Sequence, residues 1–337
     1  MLCWRRMKKI REDDVIKLLN ELRKKYEVIA PVKLDGRVYF KTLGEGDVLT
    51  LDYVNSVVSP KDFFLPQKER ILEFSESGGE VTVEDELSSK KRVFFGIRPC
   101  DVNALLILDS VAREGFEDPY YLGRRDNTLL ISLECVEPGD DCFCSVFNTG
   151  PSLDEGADLV FTDIGDFYLV KSLTDEGERL VSGSEFFRKA TGGDEETAGK
   201  KRKECVKGME SLDLRNFSVD EEVVKEKAKR CLYCYSCTFI CPTCYCFDVV
   251  DRMDLYSRNG ERMRFWDSCM NPSFTEMAGN FNPRDGMVGR FMNRINHKLR
   301  YMRDRYGVYG CVGCGRCIRN CPAGISMLEI LREGVRK

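Results

Sequence analysis

The sequence predicts an α+β chain in two parts, a mixed α/β domain over residues 1–215 and a mainly helical domain over 216–337. Three observations carry this reading. Short apolar, strand-like runs alternate with helix-like stretches between residues 11 and 173, a polar stretch rich in Gly, Glu and Lys follows at 190–203, and cysteine crowds the last third. A length of 337 residues suits about two domains.

The elements follow in order. Residues 11–25 read as an amphipathic helix with Val15, Leu18, Leu19 and Leu22 on one stripe. The apolar runs 28–34 and 37–43 flank Asp35-Gly36, a hairpin signal. Residues 91–97 read as a buried strand, and Asp101 is expected to cap a helix that runs to about Arg113. Residues 128–133, 159–162 and 167–173 read as three further strands. The polar 190–203 stretch reads as a surface linker or a loose helix start, and a helix over 219–230 leads into the cysteines.

Composition excludes several classes. A net charge of −4 leaves no overall basic footprint for nucleic acid. No run of about 18 apolar residues marks a membrane span, and the N-terminus lacks a signal-peptide core. Charge is uneven: residues 134–196 hold 16 acidic and 4 basic side chains, whereas 252–305 hold 11 basic and 6 acidic. That asymmetry suits either two solvated faces or docking surfaces for partner subunits. There are 17 cysteines against one histidine, His297, which is expected to face solvent. The odd cysteine count argues against a closed disulfide set, so a cytoplasmic chain using its thiols for metal is expected, in an anaerobic setting.

Two matched runs sharpen that expectation. They are Cys231-x2-Cys234-x2-Cys237-x3-Cys241-Pro242 and Cys311-x2-Cys314-x2-Cys317-x3-Cys321-Pro322. Three closely spaced thiolates can wrap one cubane, while the fourth, beside proline, reaches the other cluster. Cys231, Cys234, Cys237 and Cys321 are thus assigned to one [4Fe–4S] cluster, and Cys311, Cys314, Cys317 and Cys241 to a second, in a ferredoxin-like domain. Cys244, another two-residue step along, competes with Cys241. Gly313 and Gly315 would let backbone N–H groups approach the sulfurs. The 242–310 segment between the runs is long and Arg-rich, and reads as a helical insertion or a subunit interface. Structural zinc is the competing use of such cysteines, in a zinc-stabilised binding protein with no redox role.

A second constellation lies upstream. Cys100 stands where a strand turns into a helix, Cys135 follows the 128–133 strand, and Cys142-Phe143-Cys144 follows a turn. Strand ends meet at one rim of an α/β sheet, so these four thiols are expected to converge there and hold a third [4Fe–4S] cluster. Cys244, Cys246 and Cys269 remain as substitute ligands, and Cys3 and Cys205 read as structural or incidental. No dinucleotide fingerprint, phosphate loop, Ser-His-Asp set or HExxH motif is present, so no catalytic site of its own is expected.

With these residues in view, the chain resembles the beta subunits of soluble [NiFe] hydrogenases (sulfhydrogenases) and the related A subunit of anaerobic sulfite reductase. The carrying segments are Phe95 to Asp101, Cys135, Cys142 to Cys144, Cys231 to Asp248, Arg264 to Cys269, Asn282-Pro283-Arg284, His297-Lys298 and Cys311 to Ile325. The resemblance runs from about residue 27 to the end. It implies an electron-relay subunit between a hydrogenase-like catalytic unit and a flavin-containing subunit that handles NAD(P)H. Service to a sulfite reductase or formate dehydrogenase is the alternative. Tyr233 and Tyr235 depart from the pattern, standing where glycines like those of the second run are expected.

Overall fold

The computed structural model describes residues 7–335 except 86, 88, 89, 216 and 255. Cys3 lies outside them. The chain opens with β1 (Met7–Arg11), α1 (Glu12–Leu22), β2 (Glu27–Leu34) and β3 (Arg37–Thr42). Asp35 and Gly36 both take positive φ, as a two-residue hairpin turn requires. A second hairpin, β4 (Lys68–Ser77) and β5 (Glu80–Asp85), precedes β6 (Arg92–Ile97), α2 (Pro99–Ala112), α3 (Pro119–Asp126), β7 (Thr128–Leu133), β8 (Leu159–Asp163) and β9 (Phe167–Ser172). Then come α4 (Asp175–Ser182), β10 (Arg188–Lys189) and α5 (Gly192–Lys207).

Eight of these strands form one sheet, ordered β10-β1-β9-β8-β7-β6-β2-β3. Its centre, β8-β7-β6-β2, is parallel, and the outer pairs are antiparallel. Both faces of the centre are covered: Val93, Phe95, Ile131 and Phe161 fill one core, and Phe94, Leu130 and Val160 fill the other. Each buried phenylalanine contributes about 2–3 kcal/mol. The register breaks at Gly96, whose φ is +86° and where a Cβ would stand 2.9 Å from Pro31 Cδ. This bulge turns the chain into the Arg98-Pro99-Cys100 corner.

Two expectations change here. Asp101 does not cap α2. Arg98 takes the N-cap position, and the Asp101 side chain, fully buried in the first turn, binds Arg316 instead. Of the two readings of the 190–203 stretch the helix start holds and the linker does not: it forms most of the 16-residue α5, started by a reciprocal Thr191–Asp194 capping box.

The second half contains α6 (Glu221–Lys229), α7 (Ser236–Phe239), β11 (Phe247–Met253), β12 (Gly260–Trp266), α8 (Gly286–Asn296), α9 (Met302–Tyr306), α10 (Arg316–Arg319) and α11 (Met327–Val335), with a wide turn at His297–Tyr301 joining α8 to α9. Helices pack around Val224, Ala228, Phe291, Ile295, Leu299, Ile330 and Leu331. A mainly helical character holds for residues 286–335 but not for 247–266. There β11 and β12 form a hairpin that joins β4 and β5 in a four-stranded antiparallel sheet, β11-β12-β4-β5. The sheet therefore crosses the boundary expected at 215. Arg264 of β12 fastens it, bonding Glu69 and Asp118 (2.5 Å), and Arg124 joins the same Glu69 at 2.6 Å. No helix among the described residues is long and apolar enough to cross a membrane.

His297 does not point to open solvent. Its Nε2 lies 3.3 Å from Tyr245 Oη, and burial first, then Lys298 and Arg294, pull its pKa down to about 4. The folded chain thus holds this imidazole neutral, while the unfolded chain protonates it near 6.5. The unfolded state binds the extra proton between those values, so stability falls as pH drops from about 6.5 to 4. We expect His297→Gln to flatten that part of a stability–pH profile, removing an acid loss on the order of 2–3 kcal/mol.

Candidate metal centres

Three cavities are lined by cysteine. The first is lined by Cys231, Cys234, Cys237, Cys317 and Cys321. The second is lined by Cys241, Cys311, Cys314 and Cys317. The third is lined by Cys100, Cys135, Cys142, Cys144, Cys205 and Cys314. The three span about 600, 350 and 360 Å³ of non-atom space, counting the solvent at their mouths. Among the described residues, no three Cys, His, Asp or Glu side chains converge closely enough for a single ion. Each cavity lining instead gathers at least four cysteines, the donor set that a [4Fe–4S] cubane takes.

Local backbone explains how each set forms. The two runs repeat the same left-handed positions: Tyr233 (φ 53°) and Tyr235 (58°) in the first, Gly313 (60°) and Gly315 (74°) in the second. What differs is the outer side. At Gly313 a Cβ would stand 2.4 Å from the carbonyl oxygen of Phe143, and at Gly315 2.4 Å from that of Asp141. Glycine is required because the 141–144 loop lies directly on the second run, where Phe143 N–H donates to Gly313 O at 2.9 Å. The first run carries tyrosine at both positions, and its Leu232 and Cys234 are exposed. Tyrosine is tolerated there at a cost of about 1–2 kcal/mol per residue for the left-handed backbone, and both rings line the first cavity.

The third set comes from the sheet. β6 and β7 run parallel, so their C-terminal ends deliver Cys100 and Cys135 to one rim. The 142–144 loop reaches the same cavity from the side of the second run. Cys205, read from sequence as structural or incidental, is buried on α5 and lines this cavity, and burial pushes its thiol up to about 12.

Burial raises the pKa of several thiols at the centres, whereas the Cys241 thiol is pulled well down, first by its contact with the Cys244 thiol. Burial lifts Cys100, Cys144, Cys311 (to about 12) and Cys317, so the metal-free chain holds them protonated, and loading a metal must displace those protons. Cations stand close by. Arg294 Nη2 donates to Cys237 O at 2.7 Å, and Lys298 Nζ donates to Thr243 Oγ1 at 2.6 Å, both side chains being 4% exposed. Arg98 donates to the Leu133 and Glu134 carbonyls beside Cys135. None of these three bonds a carboxylate among the described residues, so the compensating negative charge must come from the thiolates. Sequence reading placed Arg294 in the Arg-rich insertion and Lys298 in a family element, but gave neither a role at a centre. Their spacing of four on a helix, alongside Ile295 and Leu299, was the available signal.

Cys244 lines none of the three cavities. It contacts the Cys241 thiol, and its carbonyl accepts from the buried Lys61 at 2.8 Å. Anaerobically prepared Cys241→Ser is therefore expected to lose about four irons per chain, and Cys244→Ser none. Equal losses would reverse the ligand choice.

The model of a 4Fe-4S dicluster domain matches residues 230–325. Sulfhydrogenase 2 subunit beta of Pyrococcus furiosus (strain ATCC 43587 / DSM 3638 / JCM 8422 / Vc1) is 32% identical over 322 residues, covering 93% of this chain and 94% of that protein. No solved structure matches.

Proposed function

The chain belongs to the family of sulfhydrogenase beta subunits and carries a 4Fe-4S dicluster domain, and from that premise we propose that it is the electron-relay subunit of a hydrogenase-type complex. Its sites are one [4Fe–4S] cluster on Cys231, Cys234, Cys237 and Cys321, a second on Cys311, Cys314, Cys317 and Cys241, and a third on Cys100, Cys135, Cys142 and Cys144. Such clusters supply one-electron transfer.

The observation that carries the reading is the serial arrangement of the cavities. Cys314 borders both the third and the second, and Cys317 borders both the second and the first. The order is therefore third, second, first. Cys234 and Leu232 at the outer edge of the first are exposed, which sets one terminus at the surface, where a partner subunit can dock. Arg294, Lys298 and Arg98 hold positive charge beside the buried thiolates, favouring the more negative, reduced state. The relative's name points to hydrogenase-type partners, and the family resemblance implies that they are a catalytic unit and a flavin subunit that handles NAD(P)H.

Iron and sulfide analysis of the oxygen-free chain tests this, together with electron paramagnetic resonance after reduction. About twelve irons and interacting reduced cubanes are expected. A count near eight would remove the third centre. A colourless, iron-free preparation would end the relay reading.

A further inference from the structure

Cys246 and Cys269 line none of the three cavities, yet they touch one another. Asp267 N–H donates to Cys246 O at 2.9 Å and extends the β11–β12 ladder by one step. The chain then folds sharply through Ser268, whose Oγ accepts from Met270 N–H at 3.0 Å. This turn returns Cys269 to Cys246, so that Cys246 Sγ accepts from both the thiol and the backbone N–H of Cys269.

The pair is bound to the first centre. Ser268 Oγ meets Thr238 Oγ1 at 2.8 Å, and Thr238 follows Cys237 directly. Arg294, which donates to the Cys237 carbonyl, also bears on Cys269. Cys269 is 8% exposed, inside the core that contains the first run, while Cys246 is half-buried. Two thiols in contact beside a one-electron centre, with no cavity between them, have the makings of a dithiol–disulfide couple.

We propose that Cys246 and Cys269 form a redox-active dithiol that exchanges electrons with the adjacent centres and stores a pair of them at the surface end of the relay. This rests on the relay reading above. On oxidation two S–H bonds break, one S–S bond forms, two protons leave to water past the half-buried Cys246, and two electrons pass singly to two oxidised [4Fe–4S] acceptors. Reduction reverses each change.

The test uses the iron-loaded full chain. Samples held at graded potentials are acid-quenched, alkylated, digested and mapped by mass spectrometry. A disulfide-linked Cys246–Cys269 peptide is expected in oxidised samples, replaced by two alkylated cysteines on reduction. Coulometric titration of the oxidised chain should take up about two electrons more than Cys269→Ser at equal iron content. Full alkylation of both thiols at every potential overturns the proposal while leaving the relay intact. Loss of iron in Cys269→Ser also overturns it, since the thiol would then be a ligand. Iron-free wild type would instead be failure of the relay reading. The wild-type alkylation map needs no variant, so a misfolded Cys269→Ser does not block the test.

Discussion

Asp101→Asn is expected to destabilise the chain by about 3–5 kcal/mol, a large share of the stability of an ordinary domain. Asp101 and Arg316 are both fully buried, and their oxygens and nitrogens meet in a two-pronged pair at 2.6 and 2.8 Å. Arg316 also donates to Ser56 O at 2.8 Å and to Ser56 Oγ at 3.0 Å. The pair joins the first turn of α2, which carries Cys100, to α10, which carries Cys317. Removing the charge of one partner leaves the other buried without compensation, and its desolvation is then unopposed. Arg319→Ala is the control. Its ion pair with Asp141 at 3.3 Å is partly exposed, so its loss should stay within about 1 kcal/mol. Midpoints of thermal or denaturant unfolding of the iron-loaded chain check both. An Asp101→Asn midpoint equal to that of Arg319→Ala would refute the role given to the buried pair. Replacing both partners by apolar residues should recover much of the loss, because no lone charge then remains.

Gly313→Val is expected to separate the second run from the 141–144 loop. The added Cβ would stand 2.4 Å from Phe143 O and 2.6 Å from Cys144 N, both backbone atoms that cannot swing aside. The left-handed backbone adds about 1–2 kcal/mol for a side chain with a Cβ, and more for a β-branched one. Since Cys142 and Cys144 flank Phe143, the third centre should be lost with the contact. The measurable outcome is a drop of about four irons per chain together with a lower unfolding midpoint. Tyr233→Gly changes the corresponding position of the first run, beside the exposed Leu232 and Cys234, and should retain its iron. Retention of full iron by Gly313→Val would show that the loop and the run are independent.

How much of this was legible beforehand depended on range. The central strands came within a residue or two, because alternating or continuous apolar runs bounded by Asp-Gly and Gly-Asp turns encode them locally. β1, β4, β5, β11 and β12 were not read. β11 and β5 are exposed along their whole lengths, and β4 carries mixed charge, so their patterns resemble loops until a neighbouring strand supplies hydrogen bonds.

The grouping of the two four-cysteine runs also followed from local spacing, since three thiols within seven residues can reach one cubane wherever the run sits in the fold. Four upstream thiols at one sheet rim followed from the parallel order of β6 and β7. Only the tertiary structure decided the serial order of the three cavities, the use of Asp101 as the partner of Arg316, the need for glycine at 313 and 315, and the burial of Arg294 and Lys298. Each of these joins residues far apart in the chain, and the physical cause lies in what packs against them: a backbone carbonyl at van der Waals limit, or a charge withdrawn from water that only a distant opposite charge can satisfy.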